Sequence, residues 1–86
     1  MKIDYHKKFL KAFDKLPAKI REKFYDRLRI FSLDPFNPLL NNHSVDRAYP
    51  NWRSINITGD YRALYELIND DTVVFMKIST HSELYG

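Results

Sequence analysis

The stretch "WRSINITGDYRALYELINDDTVVFMKIS", residues 52–79, decides the fold of this chain. Apolar residues recur in it with a period of two, which is the spacing of a half-buried strand. The breaks "GD" and "NDD" divide it into three runs, and short polar breaks of this kind are typical of tight turns between antiparallel strands. The stretch therefore predicts a three-stranded meander.

Two amphipathic helices are predicted before the meander. Apolar residues recur every three or four positions over residues 9–16 and again over residues 20–31. Pro17 fits the first turn of the second helix, where its missing N–H is not needed. A proline at position 35 ends that helix near Leu33.

The remaining segments complete an α+β organisation. Lys2 to Tyr5 alternates in polarity and predicts a short first strand, while residues 34–51 hold three prolines and four asparagines and predict an extended, turn-rich connection. The predicted order is β-α-α-β-β-β, with a helical hairpin packed on one face of a small antiparallel sheet. Residues 1–86 are expected to form a single domain.

Composition excludes several kinds of chemistry. The chain has no cysteine, which removes disulfides, thiol catalysis and thiolate zinc sites. Its three histidines lack a recognisable ligand spacing, so no metal or cofactor is expected. No apolar run is long enough to span a bilayer or to act as a signal peptide, which favours a cytoplasmic protein without membrane contact.

Charge is divided unevenly along the chain. Residues 1–33 hold ten Lys and Arg against four Asp and Glu, a net charge of +6, whereas residues 34–86 hold four against seven, a net charge of −3. The basic half is suited to meeting a polyanion, either a nucleic acid or an acidic protein. A solvated helix face explains the same charges, so charge alone does not choose between these interpretations.

Alternation assigns the side chains of the meander to two faces. The apolar face, which the helices should cover, is predicted to hold Ile55, Ile57, Tyr61, Ala63, Tyr65, Leu67, Val74, Met76 and Ile78. The opposite face gathers Ser54, Asn56, Arg62, Glu66, Val73, Phe75 and Lys77, and continued alternation adds His81. Strict alternation places Arg53 with the apolar set, unless it lies at a strand entry or a bulge.

The polar set on this second face suggests phosphate chemistry. Arginine and lysine stabilise negative charge on a phosphoryl group, and histidine exchanges protons near neutral pH. RNA carries its own nucleophile, the 2′-hydroxyl. A metal-independent ribonuclease therefore needs a base, an acid and cations, and Trp52 could stack against a base.

Each candidate also has a structural interpretation. His81 is equally a surface histidine in a frayed tail, and His43 is equally a residue that caps a turn. Arg62 and Glu66 lie four residues apart on one strand face, where an exposed ion pair contributes about 0–1 kcal/mol. The other structural alternatives are packing in the core or rim by Trp52 and packing of the tail by Tyr85.

The sequence resembles a known family over essentially its whole length. The segment "NNHSVDRAYPNWRSINITGDYRALYELINDDTVVFMKISTHSELYG", residues 41–86, is similar to the RelE/ParE superfamily of bacterial toxin–antitoxin toxins, most closely its RelE/YafQ mRNA-interferase branch. The helical half fits through "FLKAFDKLPAKIREKF" and "DPFNPLLNNH". The most specific pieces are "GDYRALY" at residues 59–65 and "THSELY" at residues 80–85.

The resemblance implies cleavage of mRNA in the ribosomal A site and neutralisation by a small antitoxin protein that wraps the toxin. We also expect the toxin to be monomeric when free. The catalytic residues that it implies are His81 as base or acid, Arg62 at the scissile phosphate, Tyr85 as the substrate-ordering aromatic, and the polar residues Asp60 and Arg53. We expect substrate to be bound by His43, Asn56, Lys77 and Trp52.

One departure from the family pattern leaves the function open. YafQ-type members have histidine where this chain has Asn56, so one candidate for proton transfer is missing. The alternatives are a ParE-like toxin that inhibits DNA gyrase without chemistry, and a catalytically weakened toxin that acts mainly as an antitoxin partner.

Overall fold

Five strands and three α-helices follow one another along residues 1–85, the part of the chain that this computed structural model describes. In chain order they are β1 (Lys2–Tyr5), α1 (Lys7–Asp14), α2 (Ala18–Leu33), β2 (His43–Ser44), β3 (Trp52–Asn56), β4 (Tyr61–Asn69), β5 (Thr72–Thr80) and α3 (His81–Tyr85). The predicted α+β class is confirmed, and β2 and α3 are additions to it. None of the helices within these 85 residues is long and apolar enough to cross a membrane.

The strands form one sheet in the order β1-β5-β4-β3-β2. Neighbours from β2 to β5 are antiparallel, which is the predicted meander with the two-residue β2 added at its edge. β1 runs parallel to β5, from Lys2 opposite Thr72 to Tyr5 opposite Phe75. The sheet is therefore mixed, and the prediction that it is antiparallel throughout is wrong in this respect. The helical hairpin and the connection carry the chain from β1 at one edge of the sheet to β2 at the other.

The core between the helices and the sheet consists mainly of aromatic rings. Phe9 and Phe13 from α1 meet Phe24 and Phe31 from α2 around Phe75 of β5, and all five are buried. Their neighbouring ring centroids lie 5.2–5.8 Å apart, mostly in tilted or edge-to-face arrangements that aromatic pairs prefer. A few large side chains therefore fill this small core.

β5 departs from strict alternation at Met76. Phe75 pairs with Tyr65 and Lys77 pairs with Leu64, so Met76 is an extra residue between two consecutive pairs. One extra residue on one strand of an antiparallel pair is a β-bulge, and it shifts the following side chains to the other face.

The bulge corrects the face assignment made from the sequence. Val73 and Phe75 are buried against the helices, where the alternation pattern wrongly placed Val74 and Met76. Beyond the bulge the alternation is restored, because Ile78 packs in the core and Lys77 lies on the opposite face as predicted.

A second, smaller apolar cluster covers the middle of the opposite face. Val45 from the connection, Leu64 from β4 and Leu84 from α3 are its buried members, and Tyr49 and Trp52 pack against it. This cluster, named here the upper cluster, divides the polar face that alternation predicted into separate depressions.

Candidate active site

Residues 80–85 form a capped helical turn rather than a loose tail. The Glu83 N–H donates to Thr80 Oγ1 at 3.3 Å, and the Thr80 N–H donates to Glu83 Oε1 at 3.5 Å. This reciprocal arrangement is a capping box. The hydroxyls of Ser79 and Thr80 also donate to Glu83 Oε1, each at 2.8 Å, and these hydrogen bonds lower the pKa of Glu83.

Three contacts fix α3 on the sheet. Leu84 is buried in the upper cluster, and its carbonyl oxygen accepts a hydrogen bond from the Tyr49 hydroxyl at 2.8 Å. At the start of the helix, the His81 N–H donates to the carbonyl of Asp60 at 2.9 Å. Asp60 lies in the β3–β4 turn, so its backbone positions His81 at that end of the sheet.

α3 and the connection enclose one shallow depression of about 260 Å³. His81 and Tyr85 line it from α3, with ring centroids 4.8 Å apart, and His43 and Arg47 line it from the other side. None of the described residues that line this depression is acidic. The structure therefore brings together three predicted site residues, His43, His81 and Tyr85, with one further cation.

A backbone contact fixes the tautomer of His43. Its Nδ1 lies 2.7 Å from the carbonyl oxygen of Asn41, and a carbonyl oxygen can only accept a hydrogen bond. Nδ1 must therefore carry the proton. In the neutral ring, Nε2 then carries the lone pair and can accept a proton.

Arg62 braces the turn beside the depression. Its Nη1 donates to the carbonyls of Thr58, Gly59 and Tyr61 at 3.0, 3.2 and 3.1 Å. Within residues 1–85, Nε and Nη2 of Arg62 have no protein acceptor, so one edge of the guanidinium remains available to an anion.

Two polar atoms on the same face have no hydrogen-bond partner among the described residues. They are the Oγ of Ser54, which is fully buried, and the Oδ1 of Asn56. Asn56 is the register partner of Arg62 across β3 and β4, so the two residues are neighbours on this face. An unsatisfied buried polar atom costs about 1–3 kcal/mol.

The structure separates Arg53 from the depression. Its Nε donates to Asn42 Oδ1 at 2.8 Å, and its guanidinium lies 5.4 Å from the ring centroid of Phe36. Asn42 in turn donates to the hydroxyl of Tyr65 at 2.8 Å. Arg53 therefore ties the connection to the helical side of the sheet, as strict alternation places it.

Trp52 and Lys77 lie in a second, larger groove of about 420 Å³. Trp52 stacks on Tyr49 with ring centroids 5.2 Å apart, and Lys77 Nζ lies 5.6 Å from the centroid of the Tyr49 ring. Glu66, opposite Trp52 on β4, does not pair with Arg62 in any ion pair of the described chain.

Sequence reasoning missed Arg47 and Tyr49. Both lie in the irregular connection, where no periodicity indicates which way a side chain points. The helical state of residues 81–85 did have a readable signal, because Thr80 and Glu83 have the spacing of a capping box.

The sequence matches the family model described as the ParE toxin of type II toxin-antitoxin system, parDE, over residues 3–85. The chain therefore belongs to this family of toxins, and the predicted membership of the RelE/ParE superfamily is confirmed. A comparison with curated proteins gave no match.

Solved structures share the fold at low sequence identity. A YoeB/ParE toxin from Agrobacterium tumefaciens has a TM-score of 0.77 and 19% identity, with 94% of this chain and 99% of that chain covered. A chain of the RelB-RelE antitoxin-toxin complex from Methanococcus jannaschii has a TM-score of 0.73 and 23% identity, with 95% and 94% covered. YafQ from E. coli has a TM-score of 0.72 and 22% identity, with 98% and 97% covered.

Proposed function

We propose that this toxin is a metal-independent endoribonuclease that cleaves mRNA on the ribosome. The observation that carries the proposal is the pair of imidazoles, His43 and His81, on two sides of one depression that holds a cation and an aromatic ring. Cleavage by the 2′-hydroxyl of RNA needs an acceptor and a donor of protons on opposite sides of a phosphate, and this depression offers both.

His43 is proposed as the general base. Its Nδ1–H is engaged by the Asn41 carbonyl, which leaves the Nε2 lone pair for the proton of a ribose 2′-hydroxyl. The sequence placed His43 only among the substrate-binding residues. The fixed tautomer supports a proton-accepting role that also replaces the histidine missing at Asn56.

His81 is proposed as the general acid. The 2′-oxygen attacks phosphorus, the bond from phosphorus to the 5′-oxygen breaks, and protonated His81 gives its proton to that oxygen. His43 holds the proton taken from the 2′-hydroxyl, so the products are a 2′,3′-cyclic phosphate and a 5′-hydroxyl. The capping box and the Asp60 carbonyl hold His81 at this place without using its ring.

Two arginines are proposed to stabilise the phosphorane. Arg47 lines the depression, and Arg62 has a free guanidinium edge at the adjoining turn. A cation positioned where negative charge develops lowers the barrier more than one that binds only the ground state. Tyr85, whose ring contacts that of His81, is proposed to stack on the substrate base and to order it.

The test is cleavage of mRNA on programmed ribosomes, followed by primer extension. His43→Ala and His81→Ala should each lower the cleavage rate by about 10²–10⁴-fold, the usual contribution of one acid or base. Arg47→Gln should lower it as well, whereas Arg29→Gln, an exposed arginine of α2 outside the depression, should not. Equal cleavage by wild type and His81→Ala would remove the proposed mechanism.

A ParE-like action is the second candidate, because the matching family model is that of the ParE toxin. Such a toxin would inhibit DNA gyrase by binding and would need neither histidine for chemistry. Supercoiling by purified gyrase in the presence of the chain separates the two candidates. Inhibition of gyrase together with intact mRNA would select the ParE-like action. No effect in either assay would favour a catalytically weakened toxin that acts mainly as an antitoxin partner.

A cognate antitoxin is proposed as the protein partner. Two of the similar solved structures are antitoxin-toxin complexes, RelB-RelE from Methanococcus jannaschii and DinJ-YafQ from E. coli. The helical half of this chain carries a net charge of +6, which suits an acidic antitoxin. We propose that the free toxin is monomeric in the cytoplasm. Light scattering of the chain alone and mixed with the product of a neighbouring acidic reading frame tests both statements.

A further inference from the structure

The larger groove, which is separate from the depression with the two histidines, has the features of a nucleotide site. It lies on the other side of α3, since Glu83 and Leu84 line the groove while His81 and Tyr85 line the depression. Its other walls include Tyr49 of the connection, Trp52 of β3, Lys77 of β5 and the start of α1. Nothing in the proposed cleavage step uses this start of α1.

The α1 wall of the groove offers hydrogen-bond donors and positive charge. His6 Nδ1 accepts a hydrogen bond from the Lys8 N–H at 3.0 Å, so this nitrogen carries no proton. The proton of the neutral ring is therefore on Nε2, which makes His6 a donor, the opposite of His43. Lys8 lines the same wall with an exposed ammonium, and Lys77 supplies a second one across the groove.

The opposite wall is aromatic. Tyr49 and Trp52 stack face to face with an angle of 3° between their planes, both rings are half-buried, and the stacked pair lines the groove. An aromatic wall facing donors and cations is the combination that binds a base and a phosphate of single-stranded nucleic acid.

We propose that the groove binds a nucleotide of single-stranded RNA that adjoins the one cleaved, with its base against Tyr49 and Trp52 and its phosphate at Lys8 and His6. This inference rests on the proposed ribonuclease function. Glu83, the one acidic side chain among the described lining residues, is held on the α3 side by the Ser79 and Thr80 hydroxyls. These hydrogen bonds place the Glu83 carboxylate away from the α1 wall, where it can still accept a hydrogen bond from a ribose hydroxyl.

The fluorescence of Trp52 provides the readout, because it is the only tryptophan of the chain. The probe is a 2′-O-methylated RNA of six nucleotides, which cannot undergo attack by its own 2′-oxygen. Titration should change the Trp52 emission. Since single strands lose affinity with a slope of about −0.7 per phosphate contact in a plot of log K against log salt, Lys8→Gln should reduce that slope by about 0.7.

The matched control is Lys7→Gln, which removes the neighbouring lysine of the same helix from outside the groove. It should leave the slope within error of wild type, and a circular dichroism spectrum establishes that both variants fold. Adenosine 5′-monophosphate should compete with the probe better than either adenosine or inorganic phosphate, because the site is proposed to hold base and phosphate together.

Three results would overturn the inference. The first is an unchanged Trp52 emission when anisotropy shows that the RNA is bound. The second is an equal loss of the salt-dependence slope in Lys7→Gln and Lys8→Gln. The third is stronger binding of a polyglutamate peptide than of RNA. The last would assign the groove to an acidic protein. If His81→Ala cleaves mRNA like wild type while Lys8-dependent binding of RNA persists, the proposed cleavage mechanism is wrong but the proposal that the groove binds RNA is kept.

Discussion

Single residues of β3 contribute to stability and to the candidate site in different ways. Arg53 donates a hydrogen bond to Asn42, the residue just before His43, so we propose that it positions His43 through the connection and does not contact the substrate. Ser54, next along the strand, is fully buried beneath the upper cluster with an unsatisfied hydroxyl. Two neighbouring residues of β3 thus have opposite effects: Arg53 forms a hydrogen bond on the helical face, and Ser54 buries an unsatisfied hydroxyl on the other face.

Replacing Ser54 by alanine should stabilise the protein. The hydroxyl has no partner among residues 1–85, so its removal relieves part of the desolvation cost and should raise the free energy of unfolding by about 1 kcal/mol. Urea denaturation measures the change. Ser32→Ala is the control, because the Ser32 hydroxyl donates to the Leu28 carbonyl on an exposed helix face. A loss of stability in Ser54→Ala would indicate that an unseen group binds this hydroxyl.

Replacing Arg53 by methionine should lower both stability and cleavage, to unequal degrees. Loss of the hydrogen bond to Asn42 and of the contact with Phe36 should cost about 1–3 kcal/mol in unfolding free energy. The cleavage rate of the folded protein should fall less than in His43→Ala. A fall as large as in His43→Ala, with unchanged stability, would instead support direct contact of Arg53 with the substrate.

Among the elements, α3 decides whether the candidate site exists, because it carries His81 and Tyr85. It has only five residues and is held by the capping box and by Leu84. A helix this short is unstable alone, so its caps and its contact with the sheet determine its population.

The capping carboxylate makes α3 sensitive to acid. Hydrogen bonds from Ser79 and Thr80 hold the pKa of Glu83 below its ordinary value of 4.5, so their stabilisation is present above that value and is lost as the pH falls through the lowered pKa. We expect the helical turn of α3 to become less stable as the pH falls below 4.5, which Trp52 fluorescence can follow. Glu83→Gln should lose this transition, and an identical acid profile in the variant would contradict the assignment.

The elements also show how far a sequence can be interpreted. The two helices and the meander follow from apolar spacing and from the proline that ends α2, because these signals are local. The bulge at Met76 is not predictable in the same way, because no local residue pattern in β5 marks it. It is visible only in the pairing of β5 with β4. Arg47 and His6 reach their places through tertiary packing, so the sequence could name His43, His81 and Tyr85 as candidates but could not predict the full lining of either depression.

For the whole molecule, the aromatic core is the main source of stability. Phe75 contacts rings from both helices and from β1, so Phe75→Ala should cost about 3–5 kcal/mol of unfolding free energy. A small domain has only about 5–15 kcal/mol in total, so this variant should be partly unfolded at 37 °C. Phe36→Ala, whose ring is 65% exposed, is the control and should cost less than about 1 kcal/mol. Thermal melts of both variants measure the difference.

The parallel pairing of β1 with β5 has a consequence for how the chain reaches its native state. Lys2 pairs with Thr72, so β1 cannot pair with the sheet before β5 has formed. Contacts this distant in sequence raise the contact order and slow folding, because the intervening loop must close first. During synthesis the helices emerge early but lack Phe75 until β5 leaves the ribosome. The nascent toxin should therefore remain inactive and exposed to proteases until β5 has left the ribosome and paired with β1.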